Sequence, residues 1–172
     1  MRLGTKIKWN PAIKTRHDQD AILQAVLDDH IDVIATDHAP HTSEEKQNTY
    51  FKAPSGGPLI QHGLVAMLEF FYQGKITLER IVEKMCHNPA ILFQIEDRGF
   101  IREGYFADLV LVDLKNPWTV EKKNILAKCG WSPFEGQTFQ SKISHTFVSG
   151  NQAYENGKVL EGKAGKRLSF NR

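Results

Sequence analysis

The residues of this chain best suited to chemistry stand together in Ala35-Thr-Asp-His-Ala-Pro-His41: a carboxylate, Asp37, followed at once by His38 and four positions later by His41. A carboxylate beside imidazoles can ligate a divalent metal, act as a general base, or do no more than cap the next turn. A lone Asp-His pair after a strand favours capping, and the second histidine beyond Ala-Pro brings chemistry level with it. Residue type and spacing leave the three roles open.

Several elements are needed to present this cluster. Ile31, Val33 and Ile34 form a β-branched run, Ala35 and Thr36 are small, and Asp37 follows, which predicts a buried strand ending on the carboxylate. In parallel α/β folds the chemistry lies at the carboxyl ends of strands. Pro40 stops the strand and leaves His38 and His41 on the loop above. Upstream, residues 3 to 9 alternate loosely and stop at Asn10-Pro11, predicting another strand. Between the two, Asp18 is the expected N-cap of a helix with Ala21, Ile22, Ala25 and Val26 on one face, running to about Asp29. Strand, helix and strand make a βαβ unit and imply a parallel sheet.

After His41 the chain turns polar through Thr42–Asn48 and reaches Ala53-Pro-Ser-Gly-Gly-Pro58. A connection of about 18 residues is long for a compact domain and reads as a lid or substrate-contacting loop. Gly56-Gly57 reads first as a turn and second as a close backbone approach to a ligand. Leu64, Val65, Leu68 and Phe71 mark an amphipathic helix, Thr77 caps another to about Cys86, and Asn88-Pro89 opens a short one with Pro in its first turn. His62 and His87 on these helices read as satisfied core or surface residues.

From Gly99 the pattern changes to short strands with turn signals: Phe100–Gly104, Ala107–Asp113, Lys142-Ile143, a pair around Gly150-Asn151, and Lys158–Leu160 after Asn156-Gly157. This half is expected to be all-β and to pack as a sandwich beside the helical half.

With 172 residues, 41% hydrophobic and 24% charged, the chain has the size of one ordinary domain. Its 22 basic and 20 acidic side chains are interspersed, which argues against a nucleic-acid or anionic-lipid face. The Lys/Arg-bearing end, Lys158–Arg172, reads as a solvated tail. The longest apolar run, Leu109–Val112, falls far short of the ~20 residues of a membrane span, and Met1–Lys8 lacks the apolar core of a signal peptide. Cys86 and Cys129 read as reduced thiols, and the expected location is cytoplasmic. Two parallel strands with three or four helices cannot cover their own faces, so the chain reads as the end of something larger.

Over nearly its whole length the sequence resembles the dihydroorotases of class I type, in the amidohydrolase superfamily, and corresponds to their C-terminal third. Ala35-Thr-Asp-His-Ala-Pro-His41 resembles the signature at the end of barrel strand 8, and Lys8-Trp-Asn-Pro11 the end of strand 7. Asn88-Pro-Ala and Gly104-Tyr-Phe-Ala-Asp-Leu-Val-Leu-Val-Asp113 are shared widely by amidohydrolases, while Trp131–Gly136 and Thr146–Gly150 look like returning strands of their β-domain. The resemblance implies an α/β plus β architecture: residues 1–94 as the C-terminal part of a (β/α)8 TIM barrel, strands 7 and 8 with their helices, and 95–172 as the C-terminal part of a composite β-sandwich.

The resemblance also implies roles. Asp37 would be a zinc ligand and the proton shuttle, Asn10 and His41 would bind substrate polar groups, and the Ser55-Gly56 backbone would hold the pyrimidine edge. Ser55 stands where the family often has Phe. The paired histidines of strand 1, the bridging carboxylated Lys or Asp and two further His ligands have no counterpart here, so the chain alone is expected to be inactive. The implied reaction is the reversible interconversion of L-dihydroorotate and N-carbamoyl-L-aspartate at a zinc centre, binuclear in the complete enzyme. Alternatives are a dihydropyrimidinase, hydantoinase or allantoinase, or a non-catalytic scaffold beside aspartate carbamoyltransferase. Implied partners are the N-terminal portion of the barrel and a second copy in a homodimer. The open edge of strand 7 is expected to drive association or poor solubility.

Overall fold

The computed structural model describes residues 4–162 and 165–171. They fold into two compact units built of discontinuous segments: Met1–Ile31, Ala35–Ala66 and Trp118–Phe139 in the first, and Asp32–Ile34, Met67–Pro117 and Gln140–Arg172 in the second. Five α-helices are present among the described residues: α1 (Arg16–Leu27), α2 (Ser43–Lys46), α3 (Gly63–Tyr72), α4 (Leu78–Val82) and α5 (Asn88–Leu92). Six strands accompany them: β1 (Leu109–Asp113), β2 (Trp118–Thr119), β3 (Thr138–Phe139), β4 (Lys142–Val148), β5 (Asn151–Glu155) and β6 (Lys158–Val159).

Neither expected parallel strand forms a ladder. Leu3 lies outside the described residues, and Gly4–Ile7 is a 3-10 turn in which the Lys8 N–H donates to Thr5. Residues 31–37 carry no strand pairing; Ile31, Val33 and Ile34 are half-buried, and the Ile34 N–H donates to the Lys84 carbonyl at 3.0 Å. A parallel strand takes its hydrogen bonds from laterally adjacent strands. Without such neighbours these backbones satisfy themselves on turns and helix ends.

Capping explains where the helices begin. α1 starts three residues before the expected cap: Thr15 is the N-cap, and Asp18 closes a capping box by accepting the Thr15 N–H at 2.9 Å. Those bonds, the Thr15 hydroxyl foremost, hold the Asp18 carboxyl below its usual range. Only Val26 of the predicted face is buried; Ile22 is exposed. α3 follows its apolar spacing, with Val65 and Leu68 buried. Thr77 caps α4 as expected, accepting the Arg80 N–H at 3.2 Å. The predicted helix then widens into a π-helical turn over Glu83–His87 before α5, which carries Pro89 in its first turn.

In the second unit β1, β4, β5 and β6 form one antiparallel sheet in the order β1-β4-β5-β6. The β4–β5 turn sits one residue earlier than expected, on Ser149 and Gly150, with φ of 50° and 81°; the β5–β6 turn uses Asn156 and Gly157 as predicted. Phe100–Gly104 is not a strand: His87 stacks on Phe100 at 4.3 Å, and the Tyr105 N–H closes a turn on Arg102. Nor is the end of the chain a free tail. Ser169 and Asn171 exchange backbone hydrogen bonds with Glu96 and Gln94 around an Ile95–Phe170 bridge. Residues 163, 164 and 172 of the predicted tail lie outside the described residues.

The first unit pairs β2 with β3 and closes on an aromatic core. Trp131–Gly136, expected as a returning strand, is a turn in this unit, with Trp131 and Ser132 buried. His62, 1% exposed, packs 5.9 Å from Trp118, 5.7 Å from Phe134 and 6.0 Å from Phe139, ring centre to ring centre. Its Nδ1 lies 3.3 Å from the Ser132 hydroxyl. Burial pushes its pKa down to about 4 from an ordinary 6.5. The neutral ring is the folded form, whereas the unfolded chain takes a proton below 6.5. His62 therefore contributes its full stabilisation above pH 6.5 and loses it as pH falls towards 4, about 3 kcal/mol in all. Denaturant unfolding at intervals from pH 4 to 7 is expected to show this acid slope, and His62→Phe to flatten it.

Candidate active site

Asp37 is exposed and has φ of 45°, in the left-handed region. Such a backbone costs a residue with a Cβ of order 1–3 kcal/mol, about, and recurs at functional sites. The cause lies next door. The His38 Nδ1 accepts the N–H groups of Leu59 at 3.0 Å and Ile60 at 3.1 Å, and the His38 backbone forms a parallel bridge with Gly57. A ring nitrogen accepting two N–H bonds carries no proton, so His38 serves as an acceptor that pins the chain reversal. Among the described residues no donor engages the Asp37 carboxylate, which is left free for a ligand or a proton.

His41 is half-buried and held from both ends. Its carbonyl accepts the Trp131 Nε1–H at 2.8 Å, and its Nδ1 lies 3.4 Å from Glu45 Oε2. The polar stretch that follows is not all loop: Thr42 caps α2 in a capping box with Glu45. The Thr42 N–H, then His41, holds the Glu45 carboxyl below its usual range.

Ser55 and Gly56 are brought to the same place. Gly56 has φ of 108°, and a Cβ there would stand 2.7 Å from the Ala39 Cβ and carbonyl oxygen. At Gly57 a Cβ would meet the Trp9 ring at 2.7 Å and the Trp131 ring at 3.1 Å. The two glycines therefore serve close packing as well as a turn. The Gly56 N–H donates to the Lys8 carbonyl at 2.9 Å, and its own carbonyl accepts from the Lys46 ammonium at 2.9 Å. Half-buried Ser55 keeps both its N–H and its hydroxyl without a partner among the described residues. Asn10 is exposed and follows Trp9 in the chain.

Three segments, 8–10, 37–41 and 55–57, thus meet around Trp9 and Trp131. His41 and Gly56, both expected from the resemblance to belong to the site, are held here by three residues that the sequence did not single out for it: Lys8, Lys46 and Trp131. No local signal marks Trp131, which stands between Gly130 and Ser132, and a lysine in Ser-Glu-Glu-Lys looks solvated. Among the described residues no three His, Cys, Asp or Glu side chains gather as a metal site. Zinc ordinarily takes at least three protein ligands, so the described residues do not by themselves gather the ligand set of the implied metal.

The glycine geometry is testable. Gly56→Ala adds a wedge against Ala39 to an unfavourable φ and is expected to cost about 2–4 kcal/mol. Gly74→Ala, with φ of 67° but open space around it, is expected to cost about 1 kcal/mol. Denaturant midpoints of the two variants provide the comparison.

The chain is similar to curated dihydroorotases: 36% identical over 155 residues to that of Clostridioides difficile (strain 630), and 39% over 153 to that of Endomicrobium trichonymphae. The matches cover 90% and 88% of this chain and 36% of each relative, so the chain spans about a third of their length. The multifunctional protein pyr1-3 of Dictyostelium discoideum is 37% identical over 153 residues, which is 89% of this chain and 6% of that protein. Among solved structures, the L-hydantoinase (dihydropyrimidinase) of Arthrobacter aurescens superposes with a TM-score of 0.85 at 30% identity, over 93% of this chain and 37% of that one. The D-hydantoinase (dihydropyrimidinase) of a Thermus species gives 0.84 at 25% identity, over 94% and 37%. Residues 10–153, from the asparagine beside Trp9 to within β5, match the amidohydrolase family, and the chain belongs to it.

Proposed function

We propose that this chain supplies part of the active site of a dihydroorotase, which interconverts L-dihydroorotate and N-carbamoyl-L-aspartate. The observation that carries the reading is the free Asp37 carboxylate, exposed on left-handed backbone beside a His41 that Trp131 holds in place. Residues 1–94 act as the C-terminal part of a (β/α)8 barrel and 95–172 as part of its β-sandwich companion. The rest of the barrel lies outside this chain, and the complete protein works in the cytoplasm as a homodimer. Aspartate carbamoyltransferase is a further partner in this reading, which the likeness to a multifunctional protein of Dictyostelium discoideum supports.

In the hydrolytic direction water adds to the ring amide carbon, the C–N bond breaks, and the departing nitrogen takes a proton. Asp37 accepts the proton that the water loses and returns it to that nitrogen, acting as base and then as acid. Zinc, held mainly by ligands outside this chain, would lower the pKa of water towards ~7 and polarise the amide. His41 and Asn10 bind the substrate carboxylate and ring polar groups, and Ser55-Gly56 meets the ring edge.

Likeness to hydantoinases supports a second reading, a cyclic amidohydrolase of another ring. His41 favours the first, because a substrate that carries a carboxylate needs a donor there. The test uses the protein with its whole barrel, assayed on N-carbamoyl-L-aspartate and on dihydrouracil. Preference for the former is expected, with Asp37→Asn lowering kcat by about 10³ and His41→Asn acting mainly on KM. Preference for dihydrouracil rejects the dihydroorotase reading, and an unchanged Asp37→Asn rejects the proton-carrier role. The isolated chain is expected to be inactive.

A further inference from the structure

Lys46 closes α2 and is 1% exposed, yet none of its partners among the described residues is a carboxylate. Its ammonium donates to the carbonyls of Pro54 and Gly56, each at 2.9 Å, and approaches that of Lys8 at 3.4 Å. It also stands 5.8 Å from the ring centre of Trp9 and 5.9 Å from that of Trp131. The Lys8 ammonium does the same for the preceding turn, meeting the carbonyls of Tyr50 at 2.7 Å, Phe51 at 3.4 Å and Ala53 at 2.6 Å. Carbonyls of residues 50, 51, 53, 54 and 56 are thus turned towards two ammonium groups.

Burying an ammonium without a counter-ion is expensive, and an apolar side chain of similar length would fill the space at lower cost. Peptide geometry indicates what the charge achieves. In a trans peptide the carbonyl of one residue and the N–H of the next lie in one plane and point in opposite directions. The Pro54–Ser55 bond is not among the cis bonds. A cation that fixes the Pro54 carbonyl therefore aims the Ser55 N–H directly away from itself. The next grip works the same way: Gly56 shares a peptide plane with the Gly57 N–H, and Gly57 bridges to His38, next to Asp37.

We propose that Lys46 is a positioning residue for substrate recognition: its ammonium fixes the 54–57 backbone so that the N–H and hydroxyl of Ser55, unpartnered among the described residues, meet an acceptor oxygen of a cyclic-amide substrate. This rests on the functional reading above and assigns to that site a residue that touches no reacting atom. It predicts a binding defect, since Lys46 sets an edge that both ground state and transition state use.

The test is Lys46→Met in the protein with its whole barrel, read by steady-state kinetics and amide exchange. The expected result is a KM for the cyclic substrate L-dihydroorotate raised about tenfold with kcat within about threefold. Amide exchange at 55–57 should quicken about tenfold while the α3 amides keep their rates. Lys46→Arg, which keeps charge but presents a planar fork in place of a point donor, is the second variant should the first not fold, and is expected to show the same split. An unmoved KM with only a lower unfolding midpoint would make Lys46 merely structural and overturn the proposal, as would a fall in kcat at constant KM. Should the parent protein turn over dihydrouracil and not N-carbamoyl-L-aspartate, the dihydroorotase reading falls alone, and the same KM comparison on dihydrouracil decides the role of Lys46.

Discussion

The chain reversal at Asp37 is the constraint on which the candidate site depends. The Asp37 carboxylate takes no donor among the described residues, so it is the backbone that fixes it. His38 does this by spending its ring nitrogen on the Leu59 and Ile60 N–H groups, which ties the residue after Asp37 to the segment before α3. The left-handed φ is then set from outside and the Asp37 side chain is spared. The same tie fixes the path of 57–60 and hence the approach of Gly56 to Ala39.

Close approach is the second condition. Thr36 leaves room at Gly63 for nothing larger than hydrogen, since a Cβ there would stand 2.5 Å from its methyl group. Gly57 does the same between two indole rings. Absent side chains let backbone approach backbone, and the hydrogen bonds that result, Ala39 N–H to the Gly57 carbonyl and Gly56 N–H to the Lys8 carbonyl, need no side-chain ordering. Trp131 then closes the group by donating to the His41 carbonyl from a position ninety residues further along the chain. Local chemistry makes the reversal, and long-range contacts keep it.

What could be read from the sequence followed this division. Local stereochemistry made the helix around Leu64–Phe71, the Thr77 cap and the Asn156-Gly157 turn legible, and residue type and spacing singled out the Asp37, His38 and His41 cluster with its role left open, whereas Asn10, Ser55 and Gly56 enter as site residues only through the family resemblance. Ladder pairing was not legible in Ile31–Asp37 or in residues 4–9, because a β-branched run becomes a strand only where a neighbour accepts its hydrogen bonds. The buried lysine was illegible for the opposite reason. Lys46 reads as solvated in Ser-Glu-Glu-Lys, and only the folded positions of Lys8, Pro54 and Gly56 give its ammonium a place to go. Likewise the capping box moved the start of α1 to Thr15, since Asp18 serves equally well as a cap or as the third residue of a box.

The distribution of strain bears on whether such a chain serves catalysis or only assembly. A scaffold needs surface and stability, and it gains neither from an aspartate held at φ of 45° with no donor on its carboxylate among the described residues, where Gly would adopt the same backbone at lower cost. Nor does a scaffold need an ammonium buried against carbonyls, where a methionine would pack more cheaply. Both costs fall within the segments that also carry His41 and Ser55, whereas the β5–β6 turn uses residues suited to its backbone, Asn156-Gly157. Left-handed backbone alone does not mark a site, since Asp29, Gln94, Asp97 and Ser149 share it. What sets Asp37 apart is the coincidence of that backbone with a carboxylate that no donor among the described residues engages, and this coincidence weighs towards an enzyme part and away from a scaffold.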